Sequence, residues 1–255
     1  MLEQNAEKIL SSLKESDLVL DIGAWAQPFN RANYVLDFMP YETRGLFGSR
    51  GGEREYFTKE TWICQDICSR QPFPFQDKQF DFVICSHTLE DVRDPIWICS
   101  EINRIGKRGY IETPSRLTES SFGVESKKRS GYWHHRWLVE RQDNELIFTA
   151  KFQLIDQHWS YHFPVDFYKK LPEEKKFMFF FWDHQFSFRE QVFPFQPNGV
   201  TNDYASFAQR YYRPPFRYDL LRLRKWYRQS EFRKKLNPIL SLIEKPIKLF
   251  LKEVQ

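Results

Sequence analysis

The chain has few cysteines, no uncharged run long enough to cross a bilayer and no internal repeat, and each absence removes a class of protein. Its four cysteines, Cys64, Cys68, Cys85 and Cys99, lie in or beside apolar segments and form no CxxC pair matched with histidines. Reduced, buried thiols in a cytoplasmic protein are expected, with no metal. No stretch reaches the roughly 18 apolar residues of a membrane span, and the opening MLEQNAEKILSSLKESD has no apolar core of the signal-peptide kind. A subtler absence concerns glycine. In DIGAWAQPF (21–29), which follows the apolar Leu18, Val19 and Leu20, the place where a nucleotide-binding loop would carry a second glycine holds Trp25.

What is present is aromatic and charged. Rings make up 18% of the 255 residues, with 25 Phe, 12 Tyr and 8 Trp, while the mean hydropathy is −0.63. Apolar surface concentrated in large rings among many charges suits a soluble protein with an aromatic-lined cleft or interface. The length is enough for one large α/β domain, or a domain with an appendage. Charge is uneven: residues 210–255 hold 13 Lys or Arg against 4 Asp or Glu, a net of +9 against +4 for the whole chain, which leaves −5 on residues 1–209.

Residues 2–14 place Ala6, Ile9, Leu10 and Leu13 on one helical face, predicting a lead-in helix against a sheet edge. Then come short apolar runs of the kind buried parallel strands show: 17–22, 33–38, 61–67, 80–86 and 108–114. Between the last two, Ile96, Cys99, Ile102 and Ile105 recur at helical spacing behind Asp94 and Pro95, an N-cap and first-turn pair. Strands alternating with crossovers predict a doubly wound, Rossmann-like, mostly parallel sheet with helices on both faces and a ligand crevice at the strand C-terminal ends. Residues 115–132 are polar and read as a mobile lid, 137–152 as a β-hairpin turning at Gln142–Asn144, and 176–182 as a buried strand. The basic segments 219–236 and 238–254 read as helices broken at Pro238 and Pro246. The expected organisation is a domain over 1–200, carrying a lid and substrate insertion around 115–190, and a basic, aromatic helical extension over 201–255.

Five blocks in fixed order carry a resemblance: VLDIGAWAQPF; YVLDF; QDI (65–67); FDFVICSHTLEDVRDP (80–95); and EINRIGKRGYIETPS (101–115). Together they resemble a class I S-adenosylmethionine (SAM) dependent methyltransferase, of the broad branch that methylates small molecules and glycans, over residues 16–116. The resemblance implies SAM as cofactor. Gly23 would let the turn approach its amino-acid part, Asp21 would orient the loop or reach the methionine moiety, and Trp25 would swing out, wall the cofactor or fill its place. Asp37, with Phe38 beside it, would accept the ribose hydroxyls. Asp66 would bind the adenine amino group with Ile67 beside the ring, and Ser86 and His87 would line the reaction centre.

Methyl transfer to a hydroxyl needs alignment and a base. The candidates are His87, Glu112, His134 and His135, the last two within GYWHHRW (131–137); Glu90 and Asp91 read instead as the start of a helix. A small-molecule or sugar-like acceptor methylated at oxygen is expected, with a catalytically degenerate binding or scaffold subunit and an RNA methyltransferase as alternatives. The basic tail suits packing on the body or a partner subunit, then an anionic membrane surface or lipid-linked substrate, and nucleic acid last. A cytoplasmic protein, peripheral to a membrane if the tail binds one, is expected, and a homo-oligomer is open.

Overall fold

The structure, a computed structural model, describes residues 1–193 and 198–212. The chain divides into two units, Met1–Gln209 and Arg210–Gln255. The helices expected at 219–236 and 238–254 lie outside the described residues.

Six strands form the main sheet: β1 (Val19–Ile22), β2 (Tyr34–Asp37), β3 (Trp62–Cys64), β4 (Phe82–Ser86), β5 (Arg108–Pro114) and, after a separate hairpin of β6 (Trp137–Gln142) and β7 (Glu145–Ala150), β8 (Phe177–Asp183). Their order is β3-β2-β1-β4-β5-β8. The first five are parallel, and β8 closes one edge antiparallel to β5. Pairing Leu20 with both Tyr34 and Val83 puts the switch in strand order at β1, where open α/β sheets hold their ligands.

Strand side chains alternate between two cores. Leu20, Ile22, Leu36, Val83, Cys85 and Ile111 face one side, and Val19, Val35, Phe82, Ile84 and Tyr110 the other. Burial on both faces explains why these strands read as continuous apolar runs rather than as alternating ones. Helix α1 (Glu3–Ser12) lays Ala6 and Ile9 on the second face, over the sheet rather than at its edge. Helix α2 (Pro95–Ile105) lays Ile98, Cys99, Ile102 and Ile105 on the first. As expected, Asp94 caps α2, accepting the Trp97 N–H at 3.0 Å. The β1–β2 connection, residues 23–33, holds no helix; eleven residues are too few for a full crossover, and Phe29, Phe57 and Trp62 fill that face instead.

The expected hairpin is present, and β9 (Ser187–Gln191) extends it, parallel to β7. Val139, Leu146 and Phe148 seat it on the α2 side of the main sheet.

Three further expectations change. Residues 115–121 are packed structure, not a mobile lid. Ser115 caps the short α3 (Arg116–Glu119), its Oγ donates to the Lys175 carbonyl at 2.7 Å, and Thr118 Oγ1 donates to the Lys176 carbonyl at 2.7 Å. Thr118, Glu119, Ser120 and Ser121 are buried; their polarity is satisfied internally. Those carbonyls belong to the region after α4 (Val165–Lys170), where α5 (Glu173–Lys176) leads into β8. Cys64 is exposed, whereas Cys68, Cys85 and Cys99 are buried. Glu90 and Asp91 lie in a turn and start no helix, since α2 begins at Pro95. Finally, α6 (Gly199–Tyr211) buries Tyr204 and Phe207, and the Tyr204 hydroxyl accepts the Phe152 N–H at 2.9 Å. Among the described residues no helix is long and apolar enough to cross a membrane.

Candidate active site

The carboxyl ends of β1, β2, β4 and β5 converge at the switch point and bring most of the sequence-predicted residues to one edge of the sheet. At the end of β1, Gly23 has φ +71° and donates its N–H to the Leu36 carbonyl at 2.9 Å. A Cβ there would lie 2.2 Å from Thr88 Oγ1. Both the left-handed backbone and the press of the β4 loop therefore demand glycine. Asp21 is buried, and its Oδ2 accepts the Phe29 N–H at 2.9 Å. Burial raises its carboxyl to about 7, the Phe29 N–H opposing and the Asp37 charge adding to the rise.

Asp37, at the end of β2, is 6% exposed. Its Oδ2 accepts the Trp25 backbone N–H and its Oδ1 that of Met39, each at 2.8 Å. Burial raises its pKa, against the pull of these amides. Each oxygen keeps a further lone pair for a ligand hydroxyl. The Trp25 indole N–H reaches the Thr43 carbonyl at 2.7 Å and its hydroxyl at 3.0 Å. The ring is thus tied to the turn after β2 and packs half-buried against the α1-side core. Phe38 is 71% exposed.

Beyond β3, Asp66 is exposed, its Oδ1 accepting the Cys68 N–H at 2.8 Å, while Ile67 is buried in the core. Arg93 donates to the Cys68 carbonyl at 2.6 Å. A cavity of about 450 Å³ opens beside this loop, with Cys68, Arg93, Ile96 and Trp137 in its lining.

The end of β4 is different in kind. His87 has φ +55°, a conformation uncommon outside glycine, and its N–H extends the sheet to the Glu112 carbonyl at 2.8 Å. Its ring, 37% exposed, sets Nε2 3.0 Å from Glu112 Oε1 and Nδ1 3.6 Å from Glu90 Oε1. Burial works against the charged ring, but the two carboxylates outweigh it and hold its pKa up at about 9. Glu112 is fully buried. Burial pushes its carboxyl up, yet His87, the Met1 ammonium at 3.2 Å, the Leu2 N–H at 3.0 Å and the Tyr110 hydroxyl bring it down to about 2. Beside this set, Ser86 Oγ and Glu90 Oε2 are buried and, among the described residues, have no hydrogen-bond partner. Buried polar atoms of this kind are costly unless something satisfies them, and they fit a ligand rich in hydroxyl and amino groups. Glu90, read from sequence as a helix start, is therefore a candidate site residue marked by its burial.

His134 and His135 do not join this cluster. His135 Nδ1 lies 2.8 Å from Glu119 Oε1, and His134 Nδ1 3.5 Å from Glu125. Glu119, fully buried, also pairs with Lys151. A Cβ on Gly131, at φ +57°, would lie 2.4 Å from Glu119 Oε2, so glycine lets the GYWHHRW backbone close over that carboxylate. Among the described residues no group of three or more His, Cys, Asp or Glu is placed to hold a metal ion.

Residues 35–111 match the family described as a methyltransferase domain. The matched segment runs from β2 into β5 and takes in Asp37, Phe38, Asp66, Ile67, Ser86 and His87, leaving Asp21, Gly23, Trp25, Glu112, His134 and His135 outside it. No curated protein matches the chain. Among solved structures, it is similar to a candidate methyltransferase of Bacillus halodurans, at 20% identity over 44% of this chain and 50% of that one, with a TM-score of 0.32. It is also similar to a SAM-dependent methyltransferase of Aquifex aeolicus, at 18% over 44% and 65%, TM-score 0.30. A third is a SAM-dependent methyltransferase of Mesorhizobium loti, at 15% over 58% and 66%, TM-score 0.32. The chain spans half to two thirds of the length of these three structures. The matched segment is thus similar to a methyltransferase domain set in a Rossmann-like α/β sheet, and S-adenosylmethionine is the cofactor that goes with such a domain.

Proposed function

We propose that this chain is a SAM-dependent methyltransferase that transfers a methyl group to a small-molecule or sugar-like acceptor, at oxygen. The observation that carries the reading is the pair of buried, unpartnered atoms at the end of β4, Ser86 Oγ and Glu90 Oε2, flanking His87. SAM, when bound, supplies an activated methyl on a positively charged sulfur. Asp37 takes the ribose hydroxyls with the lone pairs its two backbone contacts leave free, and Trp25, anchored on Thr43, walls that side. Asp66 and Ile67 take the adenine, and Gly23 and Asp21 shape the turn at the amino-acid end. The Asp37 carboxylate makes the crevice favourable to a cation, the charges of Glu90 and Glu112 being matched by His87 and the Met1 ammonium.

Methyl transfer asks the protein mainly for alignment. His87 holds its proton between two carboxylates up to about pH 9, so at neutral pH it donates rather than accepts and fixes the orientation of Glu90 and Glu112. The free oxygen of Glu90 then receives the proton of the acceptor hydroxyl. His134 and His135, held by Glu125 and Glu119, shape the acceptor side. A methyltransferase-like binding subunit without turnover is the second reading, motivated by Trp25 in the glycine position and by the nearly complete burial of Asp37, whose Oδ2 already accepts the Trp25 backbone N–H.

The test is transfer of labelled methyl from SAM to a panel of hydroxylated small molecules and sugars. Glu90→Gln should slow transfer by about 10²–10⁴-fold while leaving SAM affinity nearly unchanged. Full activity in Glu90→Gln would remove the proposed proton acceptor, and no transfer to any acceptor would favour the binding subunit.

A further inference from the structure

A second cavity, of about 340 Å³, lies between the 126–135 segment and the chain leaving β7. It adjoins the carboxyl end of the sheet. The Arg136 and Trp137 N–H groups donate to the Glu90 carbonyl at 2.7 and 3.0 Å, and the Lys151 N–H donates to the Arg136 carbonyl at 2.8 Å. One side of the cavity is therefore fastened to the β4 loop that carries the orphaned Glu90 oxygen.

Three of its ten lining residues are apolar, Trp133, Phe152 and Ile155, and the other seven carry hydrogen-bonding groups. Trp133 is 67% exposed, and Phe152 is exposed as well; large rings left in water at a cavity lined by polar groups are a place for a ligand face to stack. The polar groups are held rigidly. Lys151 and His135 share Glu119, and Asp156 pairs with Arg129 at 3.3 Å while accepting the Ser130 N–H at 2.7 Å. The lining's lysine and arginine each have a carboxylate partner, which gives the cavity no call for an anionic ligand. One group is left over. Ser130 is 1% exposed, and among the described residues its Oγ has no hydrogen-bond partner, although Asp156 fixes its backbone in place.

We propose that this cavity binds a neutral pyranose ring, which is the methyl acceptor. A pyranose offers an apolar C–H face to Trp133 or Phe152 and hydroxyls around its rim to Ser130, Asp156 and Arg129. A planar aromatic acceptor would meet too few apolar walls, only three of the ten lining residues being apolar. That the ring is the acceptor rests on the methyl-transfer reading above; that the cavity binds it does not.

The experiment is saturation-transfer NMR titration of the full chain, without SAM, against methyl glucopyranoside, galactopyranoside and mannopyranoside. Methyl glucuronide serves as the anionic arm and phenol as the planar aromatic arm. At least one neutral pyranoside should bind saturably. Trp133→Ala and Ser130→Ala should each weaken that binding by about tenfold, the loss of roughly one good contact. Ser130→Ala should also melt no lower than the parent, because it removes a hydroxyl that the free protein leaves unsatisfied; a merely structural serine would lower the melting temperature. Absence of binding by all three neutral pyranosides, equal binding in both variants, or preference for glucuronide or phenol would overturn the proposal. A parallel SAM titration separates the two claims: pyranoside binding without SAM binding upholds the cavity and removes the methyl-transfer reading, and SAM binding without pyranoside binding does the reverse.

Discussion

The carboxyl ends of β1 and β2 and those of β4 and β5 sit side by side in the same sheet, yet they treat their polar groups in opposite ways. On the β1–β2 side, Asp21 and Asp37 accept backbone N–H groups from Phe29, Trp25 and Met39, and the indole of Trp25 is tied to Thr43. On the β4–β5 side, Glu112 is saturated, but Ser86 Oγ and Glu90 Oε2 accept nothing among the described residues. The first side has its geometry built from its own backbone and only needs to hold a ligand in place. The second leaves buried groups that a bound molecule must complete, as expected of a place where acceptor and proton meet. The contrast is one of preorganisation against unfilled demand.

The largest break is at Glu112. Glu112→Ala strips a fully buried carboxylate from His87, the Leu2 N–H and the Tyr110 hydroxyl at once, and should cost about 3–5 kcal/mol in urea unfolding. Glu112→Gln keeps the shape and should cost less. Next is Gly23→Ala, which combines the left-handed backbone with the clash against Thr88 and should cost about 2–3 kcal/mol. Adding Thr88→Ala should relieve the clash but not the backbone strain, so the double variant should recover only part of the loss. If it recovers everything, the conformation at Gly23 matters less than the press of the β4 loop.

The smallest effect is a pH signature. His87 titrates near 9 in the fold against 6.5 ordinarily, so protonation favours the folded state. Its contribution is complete below about pH 6.5 and is lost as the pH rises through about 9. Glu112, lowered from 4.5 to about 2, describes the same pairing from the acid side, and its share is lost as the pH falls from about 4.5 through about 2. The gap in melting temperature between the parent and His87→Gln should therefore be widest near pH 6 and close above about pH 9. A gap that widens with rising pH would mean that the ring is neutral in the fold.

Much of this architecture was legible because buried parallel strands write themselves as apolar runs. β1, β2, β4 and β5 each pack on both faces, so Val19–Ile22 or Phe82–Ser86 needs no distant information to be recognised. The Asp94–Pro95 start of α2 is equally local. Residues 115–121 were misread because their satisfaction is not local: the acceptors of Ser115 and Thr118 are the carbonyls of Lys175 and Lys176, some 60 residues away. The spacing of Ser115 to Thr118 did hold a helix-cap signal that would have tempered the lid reading. Glu119 and Ser130 carry no motif at all, and Glu90, inside the 80–95 block, reads there as a helix start; burial, with the pairing of Glu119 and the unpartnered oxygens of Glu90 and Ser130, singles them out. His87 and Glu112 were found as separate strand ends, whereas their pairing follows from the β4–β5 register, Ser86 opposite Glu112, which no single strand reveals.

Isothermal calorimetry of SAM binding decides whether the β1–β2 side holds SAM, with Trp25 as a wall rather than a plug. Saturable binding by the parent chain, lost in Asp37→Ala, is the expected result. No heat with either SAM or S-adenosylhomocysteine in the parent would contradict it and leave only a fold.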